Sequence, residues 1–479
     1  MLPEGTTKVA AYGECRQGSE YVYTVMFGLQ YQIIRHLEGV VITKEMIDEA
    51  QPWLEEHFKH SGKVWNRAKW DYIVEKHGGK LPLQIDAVPE GSIIPKNNLL
   101  FRVFNTDDNC AWLTNAMETL LQWVWYTISV STRSHFLVSA VRKYFGETVD
   151  EDTQWLAEFM IHDFGQRAVT CAEQGGIGGM SHLVNSKGTD TDLSIPWAVN
   201  YYRAKMGNLC YSVPASEHSI ATALGPERQY EVTQRLCQIF PTGILSMVSD
   251  SYGIEDAVKE YCTGKTREFI LIREGKFVVR PDSKRWAGDT PDAQVLWIVK
   301  QLADAFGTTV NSKGFKVLHP KVGVIYGDGL SQEEILQCLQ TLKDNGFAAQ
   351  NCVYGQGGGL LQKLSRDTID FAIKCYAQTR NGEVFAIFKK PQGGTKVSKK
   401  GPMKLVFDVG SHLKVPVTVP MTDPRPDLLQ TVFLNGEVLN ETDFDTVRAK
   451  ALENPYLLYN KDLYRPASNN HLLKKAGME

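Results

Sequence analysis

A repeated rhythm in the second half of the chain constrains its fold more than any other feature. Short apolar runs end in a polar or glycine-rich turn and are followed by residues with a helical pattern. The apolar runs occupy residues 244–248, 277–279, 322–325 and 348–353. Helices are expected to begin at Ile254, near Ser331 and at Leu360. Strand–turn–helix units in series predict an α/β fold with a parallel sheet.

Two architectures fit this rhythm, a β/α barrel and a doubly wound open sheet, and spacing alone does not separate them. In a barrel the functional residues lie at the carboxyl ends of the strands, where Asp, Arg and Gly fall in this sequence. We therefore predict a barrel-like domain over residues 151–384. A second α/β domain is expected at residues 1–150, completed by about 385–479.

The chain on either side of the barrel-like part mixes shorter elements. Residues 9–12, 22–29 and 99–104 predict strands, and residues 112–126 predict a buried helix. Thr43 can cap a helix that Pro52 kinks or restarts. Further strands, expected to return to the first domain, are predicted at residues 406–407, 415–419 and 430–434.

Length, charge and cysteine usage narrow the class of protein. A chain of 479 residues usually has more than one core, which favours two domains. The net charge of −3 argues against nucleic-acid binding, and no apolar run approaches the ~20 residues of a membrane span. The nine cysteines form no CxxC pair and are interpreted as reduced thiols. No signal sequence is recognisable, so a cytoplasmic location is expected.

One histidine stands out in the segment YSVPASEHS, residues 211–219. His218 follows an acidic residue and precedes a short predicted helix. A histidine in such a place is more often structural than catalytic. It becomes a catalytic candidate because other motifs place Asp, Arg and Gly where a phosphorylated sugar could be held.

The glycine loop at residues 355–359 ends a predicted strand and opens a helix. Glycine lets backbone N–H groups approach an anion, so the loop suits a phosphate, although a tight structural turn explains it equally well. Arg366 follows and could reach back toward the phosphate. Asp282 and Asp328 follow other strands and suit sugar hydroxyls or Mg²⁺, or simply cap helices. Arg280 shares their predicted rim.

Two further motifs indicate a flat aromatic ligand. In HDFGQR, Phe164 could stack on a heteroaromatic ring and Arg167 could bind a phosphate, although a core position is the commoner one for Phe. In KGTD, Asp190 would accept a hydrogen bond from a carboxamide and repel a carboxylate ligand.

Several ordered motifs together resemble the nicotinamide phosphoribosyltransferase family over nearly the whole chain. They are PEGTTKV (3–9), GLQY (28–31), AVPEGSIIP (87–95), HDFGQR (162–167), HLVNSKGTD (182–190), YSVPASEHS (211–219), SDSYG (249–253), RPDS (280–283), GDG (327–329), GGGLLQKLSRD (357–367) and SKKG (398–401). The resemblance implies a type II phosphoribosyltransferase in which nicotinamide attacks C1 of phosphoribosyl pyrophosphate. The products are nicotinamide mononucleotide and pyrophosphate, as a salvage step toward NAD.

The resemblance also implies a homodimer with shared active sites, Mg²⁺, and ATP hydrolysis coupled through a phosphohistidine at His218. Its catalytic residues would be His218, Asp282 and Asp328, and its nicotinamide-binding residues Phe164, Asp190 and Arg280. Ribose and the 5′-phosphate would be held by Gly327, Gly357, Gly358 and Arg366. The diphosphate group would be bound by Arg16, Arg167, Lys374, Lys389 and Lys396. Some of these residues would contact phosphates in the active site of the partner subunit.

The sequence departs from the family at two places. Family members usually carry further N-terminal residues that supply a stacking aromatic ring to the partner's site. Ser283 is followed by Lys-Arg-Trp-Ala-Gly, where the family has a shorter turn. The alternatives are a nicotinate-using relative, a non-catalytic nucleotide-binding homologue, or a barrel enzyme for another sugar phosphate. Asp190 argues against the first, and the retained His218, Asp282, Asp328 and Arg366 argue against the second.

Overall fold

The protein is described here from a computed structural model, which covers residues 2–61, 64–327, 329–392, 397–408, 410 and 415–453. Within these residues the chain divides into two compact units. The first unit comprises residues up to 132, residues 198–204 and residues from 365 onward. The second unit comprises residues 133–197 and 205–364.

These boundaries differ from the sequence-based ones at 150 and 384. The helix Trp125–Thr148 runs through the first boundary without a break, so no linker marks it. The strand Phe371–Arg380 pairs antiparallel with Thr6–Cys15, and this long-range pairing assigns it to the first unit. A boundary that depends on strand pairing leaves no local signal in the sequence.

The first unit is built on a seven-stranded antiparallel sheet. In spatial order its strands are Glu383–Ala386, Phe371–Arg380, Thr6–Cys15, Leu99–Asn105, Leu83–Ala87, Gln430–Leu434 and Glu437–Val438. Two smaller antiparallel pairs join Tyr23–Val25 to Ile93–Pro95 and Met403–Phe407 to Pro416–Pro420. The strands expected at residues 406–407, 415–419 and 430–434 are therefore present and lie in this unit.

The helices of the first unit confirm some local predictions and correct others. They are Leu29–His36, Lys44–His57, Arg67–His77, Ala111–Ala116, Glu118–Gln122 and Phe444–Leu452, with single 3₁₀ turns at Asp108–Cys110 and Arg366–Thr368. Thr43 caps its helix, since its hydroxyl accepts the Met46 N–H at 3.3 Å. The helix continues through Pro52, because one missing backbone bond does not outweigh the strong helix formers around it.

Two predicted elements of the first unit are wrong in extent. The strand expected at residues 22–29 covers only Tyr23–Val25, because Gly28 has a left-handed backbone (φ 98°) and begins a helix. The buried helix expected at residues 112–126 is broken into shorter pieces by tight i→i−3 bonds, and Trp123 is half exposed. A uniformly apolar sequence gives no pattern from which such breaks could be predicted.

The second unit contains a curled six-stranded parallel sheet. Its strands, in spatial order, are Gly188–Thr189, Ile161–Asp163, Cys352–Gln356, Val322–Tyr326, Glu274–Arg280 and Thr242–Val248. The segment 211–216, which we call the closing segment, forms parallel bridges to both edge strands, Gly188 with Tyr211 and Ala215 with Ser246. The barrel-like α/β prediction is confirmed, and the open doubly wound sheet is wrong.

Helices alternate with the strands of this sheet along the chain. They are the second half of Trp125–Thr148 and Ala172–Leu183, Met206–Leu209, His218–Ala221, Gln229–Ile239, Ile254–Thr263, Thr266–Ile272, Pro291–Phe306, Gln332–Asp344 and Gly358–Leu361. The helix Ser194–Tyr202 crosses between the units' segments, and a small hairpin pairs Thr308–Val310 with Lys316–Leu318. Irregular 3₁₀ segments lie at Glu151–Phe159, Gly165–Ala168, Pro226–Arg228 and Ala349–Asn351.

The predicted helix starts near Ile254 and Ser331 are confirmed, and Ser331 forms a full capping box with Glu334. The helix expected after the glycine loop has only four residues, Gly358–Leu361. Every residue of the strand Val322–Tyr326 is buried, as expected for a parallel strand covered on both faces. Because all six strands run in one direction, their carboxyl ends form a single rim. Among the described residues, no helix is long and apolar enough to cross a membrane.

Candidate active site

The carboxyl rim of the parallel sheet gathers an aromatic ring and a guanidinium group. Phe164 follows the strand Ile161–Asp163, and Arg280 ends the strand Glu274–Arg280. The guanidinium carbon lies 5.9 Å from the centroid of the Phe164 ring. Arg280 Nε is buried and has no hydrogen-bond partner among the described residues. The two residues thus leave a flat slot with an unused donor beside it.

Glycines of the neighbouring strands make room for this ring. A Cβ at Gly355 would lie 2.2 Å from Phe164 Cε2, so only glycine fits beneath the ring. A Cβ at Gly327 would lie 3.5 Å from the same carbon and 3.1 Å from Asp282 Oδ1. Phe164, Gly327, Arg280 and Asp282, which the sequence assigned to one ligand, therefore converge.

Asp190 lies on the same rim, directly after the edge strand Gly188–Thr189. Its Oδ1 accepts hydrogen bonds from His162 Nε2 at 2.8 Å and from the Ser212 hydroxyl at 2.5 Å. Burial favours the protonated acid, but the hydrogen bonds from His162 and Ser212 and the charge of Arg280 outweigh it. The pKa of Asp190 is therefore held below its usual value, and the residue stays a carboxylate.

A second acid beside it behaves in the opposite way. Asp163 is fully buried, and burial raises its pKa to about 6 although the Gly165 N–H donates to Oδ1 at 2.7 Å. That hydrogen bond fixes the turn that carries Phe164. Asp163 thus supports the ring from below the rim.

His218 lies beside two carboxylates that follow the strands Thr242–Val248 and Glu274–Arg280. Its Nε2 is 3.0 Å from Asp250 Oδ1, and its Nδ1 is 3.9 Å from Asp282 Oδ2. The imidazole is 48% exposed, whereas the Asp250 side chain is 5% exposed. The second Asp250 oxygen accepts the Asp282 N–H at 3.2 Å and the Ser283 hydroxyl at 2.5 Å. An accessible imidazole held by a buried carboxylate is an arrangement suited to nucleophilic or acid–base chemistry.

The glycine loop is open to a ligand. A Cβ at Gly357 would meet nothing within 4 Å, and one at Gly358 would make only an ordinary contact with Ala168. The loop is held from the protein side, where Arg133 donates to the carbonyl of Gly359. Arg167 is 89% exposed, and its guanidinium is 3.7 Å from Glu217, next to His218. These positions are compatible with an anion.

The remaining predicted cations lie in the first unit. Arg16 donates to Asp370 Oδ1 at 2.5 Å. Lys374 has its pKa lowered by burial and by the nearby charges of Arg16, Arg366 and Lys389, with only Glu118 opposing them. Four of the predicted phosphate-binding residues therefore form one cationic cluster, whose mutual repulsion an anion would relieve. Asp328 and Lys396 lie outside the described residues.

Three residues of the rim were not assigned a role from the sequence, although two of them had signals. Asp250 follows the strand Thr242–Val248 in the motif SDSYG, and the rule that selected Asp282 applies to it equally. His162 belongs to the motif that supplied Phe164. Ser212 had no local signal, because its contact with Asp190 depends on the parallel bridge between residues 188 and 211.

Comparison with known proteins agrees with this geometry. The nicotinate phosphoribosyltransferase (NAPRTase) family profile matches residues 159–437, and the profile of the nicotinamide phosphoribosyltransferase N-terminal domain matches residues 1–85. A nicotinamide phosphoribosyltransferase of Xanthomonas campestris pv. campestris is 38% identical over 460 residues, 94% of this chain and 95% of the relative. The chain belongs to the nicotinamide phosphoribosyltransferase family. The resemblance drawn from the motifs is confirmed.

Other family members and solved structures extend the comparison. A nicotinamide phosphoribosyltransferase of Acinetobacter baylyi is 32% identical over 391 residues, 78% of this chain and 76% of its own. The nicotinate-nucleotide pyrophosphorylase from Pyrococcus furiosus has a TM-score of 0.59 at 14% identity, with 94% of this chain and 90% of that one covered. Human nicotinic acid phosphoribosyltransferase has a TM-score of 0.56 at 13% identity, with 97% and 92% covered. At these identities the two structures support the fold alone.

Proposed function

We propose that this family member transfers a phosphoribosyl group to nicotinamide. The pyridine nitrogen attacks C1 of phosphoribosyl pyrophosphate, the new N–C bond forms, and the C–O bond to pyrophosphate breaks. The pyridine nitrogen becomes cationic, so no proton has to move. The observation that carries this proposal is the ionised Asp190 on one rim with Phe164 and Arg280.

The choice of nicotinamide over nicotinate rests on charge. Asp190 Oδ1 is already used by His162 and Ser212, whereas within the described residues Oδ2 accepts no hydrogen bond. A carboxamide N–H could donate to Oδ2, and a nicotinate carboxylate would be repelled by it. Phe164 would stack on the pyridine ring, and Arg280 would donate to the carboxamide oxygen.

ATP coupling is proposed to proceed through His218. A carboxylate only accepts, so the contact with Asp250 keeps a proton on Nε2 and leaves the lone pair on Nδ1. Nδ1 would attack the γ-phosphorus of ATP: a P–N bond forms, the P–O bond to ADP breaks, and ADP leaves. Water later cleaves the P–N bond and releases phosphate. The phosphorylated imidazole would add negative charge beside Asp282 and so require a cation there.

The acidic rim fits Mg²⁺. Asp282 is partly exposed and its Oδ2 faces His218, whereas both Asp250 oxygens already accept hydrogen bonds from protein groups. Asp282 is therefore the residue expected to hold the ion. A bound Mg²⁺ would stabilise negative charge on the departing pyrophosphate.

The cationic cluster of the first unit supports a site for the diphosphate group. Burial lowers the pKa of Lys374, and the nearby charges of Arg16, Arg366 and Lys389 lower it further. We propose that these four residues bind phosphates and that active sites are shared between two subunits of a homodimer. A cytoplasmic location is also proposed, since all nine cysteines are free thiols.

Product analysis tests the proposal. Purified protein would be incubated with phosphoribosyl pyrophosphate, Mg²⁺ and either nicotinamide or nicotinate, each with and without ATP. We expect nicotinamide mononucleotide as the main product, with ATP increasing its yield. Preferential formation of the nicotinate product would contradict the role of Asp190. Ligand binding without any product would favour the non-catalytic alternative.

A further inference from the structure

The loop between Ser283 and Pro291 is fastened by a buried ion pair. Arg285 Nε donates to Asp289 Oδ2 at 2.7 Å, and Nη2 donates to Oδ1 at 3.3 Å. The two side chains are only 8% and 2% exposed. The guanidinium carbon lies 4.1 Å from the ring centroid of Trp286 and 4.7 Å from that of Trp297. The arginine is thus held between two rings and a carboxylate.

A buried glutamine fixes the backbone of the same loop. Gln294, on the helix Pro291–Phe306, is fully buried. Its Nε2 donates to the carbonyl of Ser283 at 2.9 Å, and its Oε1 accepts the Arg285 N–H at 3.3 Å. Asp289 also accepts the Thr290 N–H at 3.1 Å. Both ends of the loop are therefore anchored to the start of one helix.

The anchored loop touches the reacting residues at one point. The Ser283 hydroxyl donates to Asp250 Oδ2, and the other oxygen of Asp250 contacts His218. The hydrogen bonds thus run without a gap from Gln294 through Ser283 and Asp250 to the imidazole. An ion pair buried between rings is a costly means of stabilising a fold, because its desolvation offsets most of its attraction. Rigid placement of Ser283 is a better explanation for it.

We propose that Arg285 is a positioning residue, which acts with Asp289 through Ser283 and Asp250 to orient His218 for phosphorylation. The inference rests on the proposed phosphorylation of His218. Geometry errors of about 1 Å cost roughly 100-fold in rate when they misplace a reacting group. Loss of the anchor should therefore lower the rate of phosphorylation. Nicotinamide affinity should change little, because Phe164 and Asp190 follow other strands and Arg280 is held by the pairing of its own strand with Thr242–Val248.

The test compares Arg285→Ala, Arg285→Lys and Asp289→Asn in the full chain. The rate of acid-labile phosphoprotein formation from γ-labelled ATP is measured in a single turnover, together with kcat and KM for nicotinamide. We expect phosphorylation and kcat to fall about tenfold or more, with KM within about twofold. Arg285→Lys should recover only part of the rate, because an ammonium cannot pair bidentately or stack as a plane.

Lys343→Ala is the control, since it removes another ion pair of the second unit, with Glu147. Lys343 lies in the last turn of Gln332–Asp344, which runs back from the rim, so its loss should leave phosphorylation unchanged. Should Arg285→Ala fail to fold, Asp289→Asn, which keeps the shape of the side chain, provides the result. Variants that melt earlier but phosphorylate at the wild-type rate at 25 °C would overturn the proposal.

A double variant separates positioning from a general structural effect. If Arg285 acts through Ser283, Ser283→Ala should slow phosphorylation and Arg285→Ala/Ser283→Ala should be no slower than the slower single variant. Multiplicative losses would overturn the proposal. If wild-type protein forms product but no phosphoprotein, the role of His218 itself fails, and that outcome is read from the wild type alone.

Discussion

At the scale of single residues, the role proposed for the Asp190 carboxylate is to select nicotinamide over nicotinate. Asp190→Asn removes the charge but keeps the size, so we expect the ratio of kcat/KM for nicotinate to that for nicotinamide to rise about tenfold or more. Ser212→Ala, which removes a hydrogen bond from the same carboxylate but leaves its charge, should shift the ratio far less. An equal shift in both variants would contradict an electrostatic origin of selectivity.

Asp250 provides the second prediction at this scale. Asp250→Asn can no longer hold a proton on Nε2 through an ionic acceptor, so the lone pair is no longer confined to Nδ1. ATP-stimulated turnover should fall about 10- to 100-fold, while turnover without ATP should be affected less. Initial rates with and without ATP, and ³¹P NMR of the phosphoprotein, measure both effects. Unchanged ATP stimulation would contradict the role assigned to this carboxylate.

Residues of the site were predictable where a strand end alone selects them. Arg280 and Asp282 follow the apolar run at residues 277–279, and the structure places both on the predicted rim. Phe164 was selected by its motif, and it lies on the same rim. Ser212 was not predictable, because it reaches Asp190 only once the closing segment pairs with the edge strand. Arg16 and Lys374 cluster because their strands pair antiparallel, which no local pattern indicates.

At the scale of elements, the strand Cys352–Gln356 supports the aromatic slot through Gly355. Gly355→Ala would force the Phe164 ring aside, so the KM for nicotinamide should rise about fivefold or more, with stability reduced by about 1–3 kcal/mol. Gly146→Ala is the matched control: it lies in a helix with open space around its Cβ and should stabilise the fold by about 0.5–1 kcal/mol. Steady-state kinetics and thermal unfolding would separate the two.

The start of the helix Leu29–His36 contacts a buried acid, Glu90, that makes the stability of the first unit depend on pH. Burial raises the pKa of Glu90 to about 7, although the N–H groups of Gln30 and Gly28 and the Tyr202 hydroxyl donate to it. An acid whose folded pKa is raised contributes full stability below its unfolded pKa of 4.5 and loses it as pH rises toward about 7. Over that window the contribution lost is at most about 3 kcal/mol.

Glu90→Gln cannot ionise, so its free energy of unfolding should fall less between pH 4.5 and pH 7 than that of the wild type. Chemical denaturation at several pH values measures both curves. The difference between the curves isolates Glu90 from Asp163, whose pKa is also raised. Parallel curves would show that Glu90 does not titrate in this window.

Sequence patterns predicted elements best where one physical signal dominates. Ser331 announces its helix through a capping box, and the strand Gln430–Leu434 matches its predicted bounds. The prediction of one continuous helix at residues 112–126 was wrong, because a uniformly apolar sequence gives no sign of the tight turns that divide the stretch. The predicted kink or restart at Pro52 was also wrong, because a helix tolerates the loss of one hydrogen bond on an exposed face.

At the scale of the whole molecule, the proposed sharing of active sites between two subunits makes a prediction about mixed dimers. Arg16→Ala and His218→Ala should each be nearly inactive, because the first removes a residue of the cationic cluster and the second removes the proposed site of phosphorylation. Random mixing makes half of the dimers heterodimers with one intact site, so co-expression should restore about a quarter of wild-type activity. That fraction is measured on the unfractionated mixture, and heterodimers isolated through two different tags should have about half of wild-type activity. No recovery would argue for sites built within one subunit.

The α/β class and the barrel-like sheet were predictable from the series of apolar runs, but closure of the sheet was not. Residues 211–216 contain Pro214 and no regular strand pattern, yet they bond to both edge strands. The Tyr211 N–H donates to the Lys187 carbonyl at 2.7 Å, and the Ser246 N–H donates to the Pro214 carbonyl at 2.9 Å. Such closure depends on tertiary geometry and leaves little trace in the sequence.

The closing segment also covers part of both edges of the parallel sheet. An uncovered strand edge offers unpaired N–H and C=O groups to any passing chain. Residues 211–216 cover part of both edge strands, so a variant that loosens this segment would expose the unpaired backbone groups of both edges together. Variants of residues 211–216 that lose activity should therefore also scatter light and precipitate. The solubility of each such variant should be measured together with its kinetics.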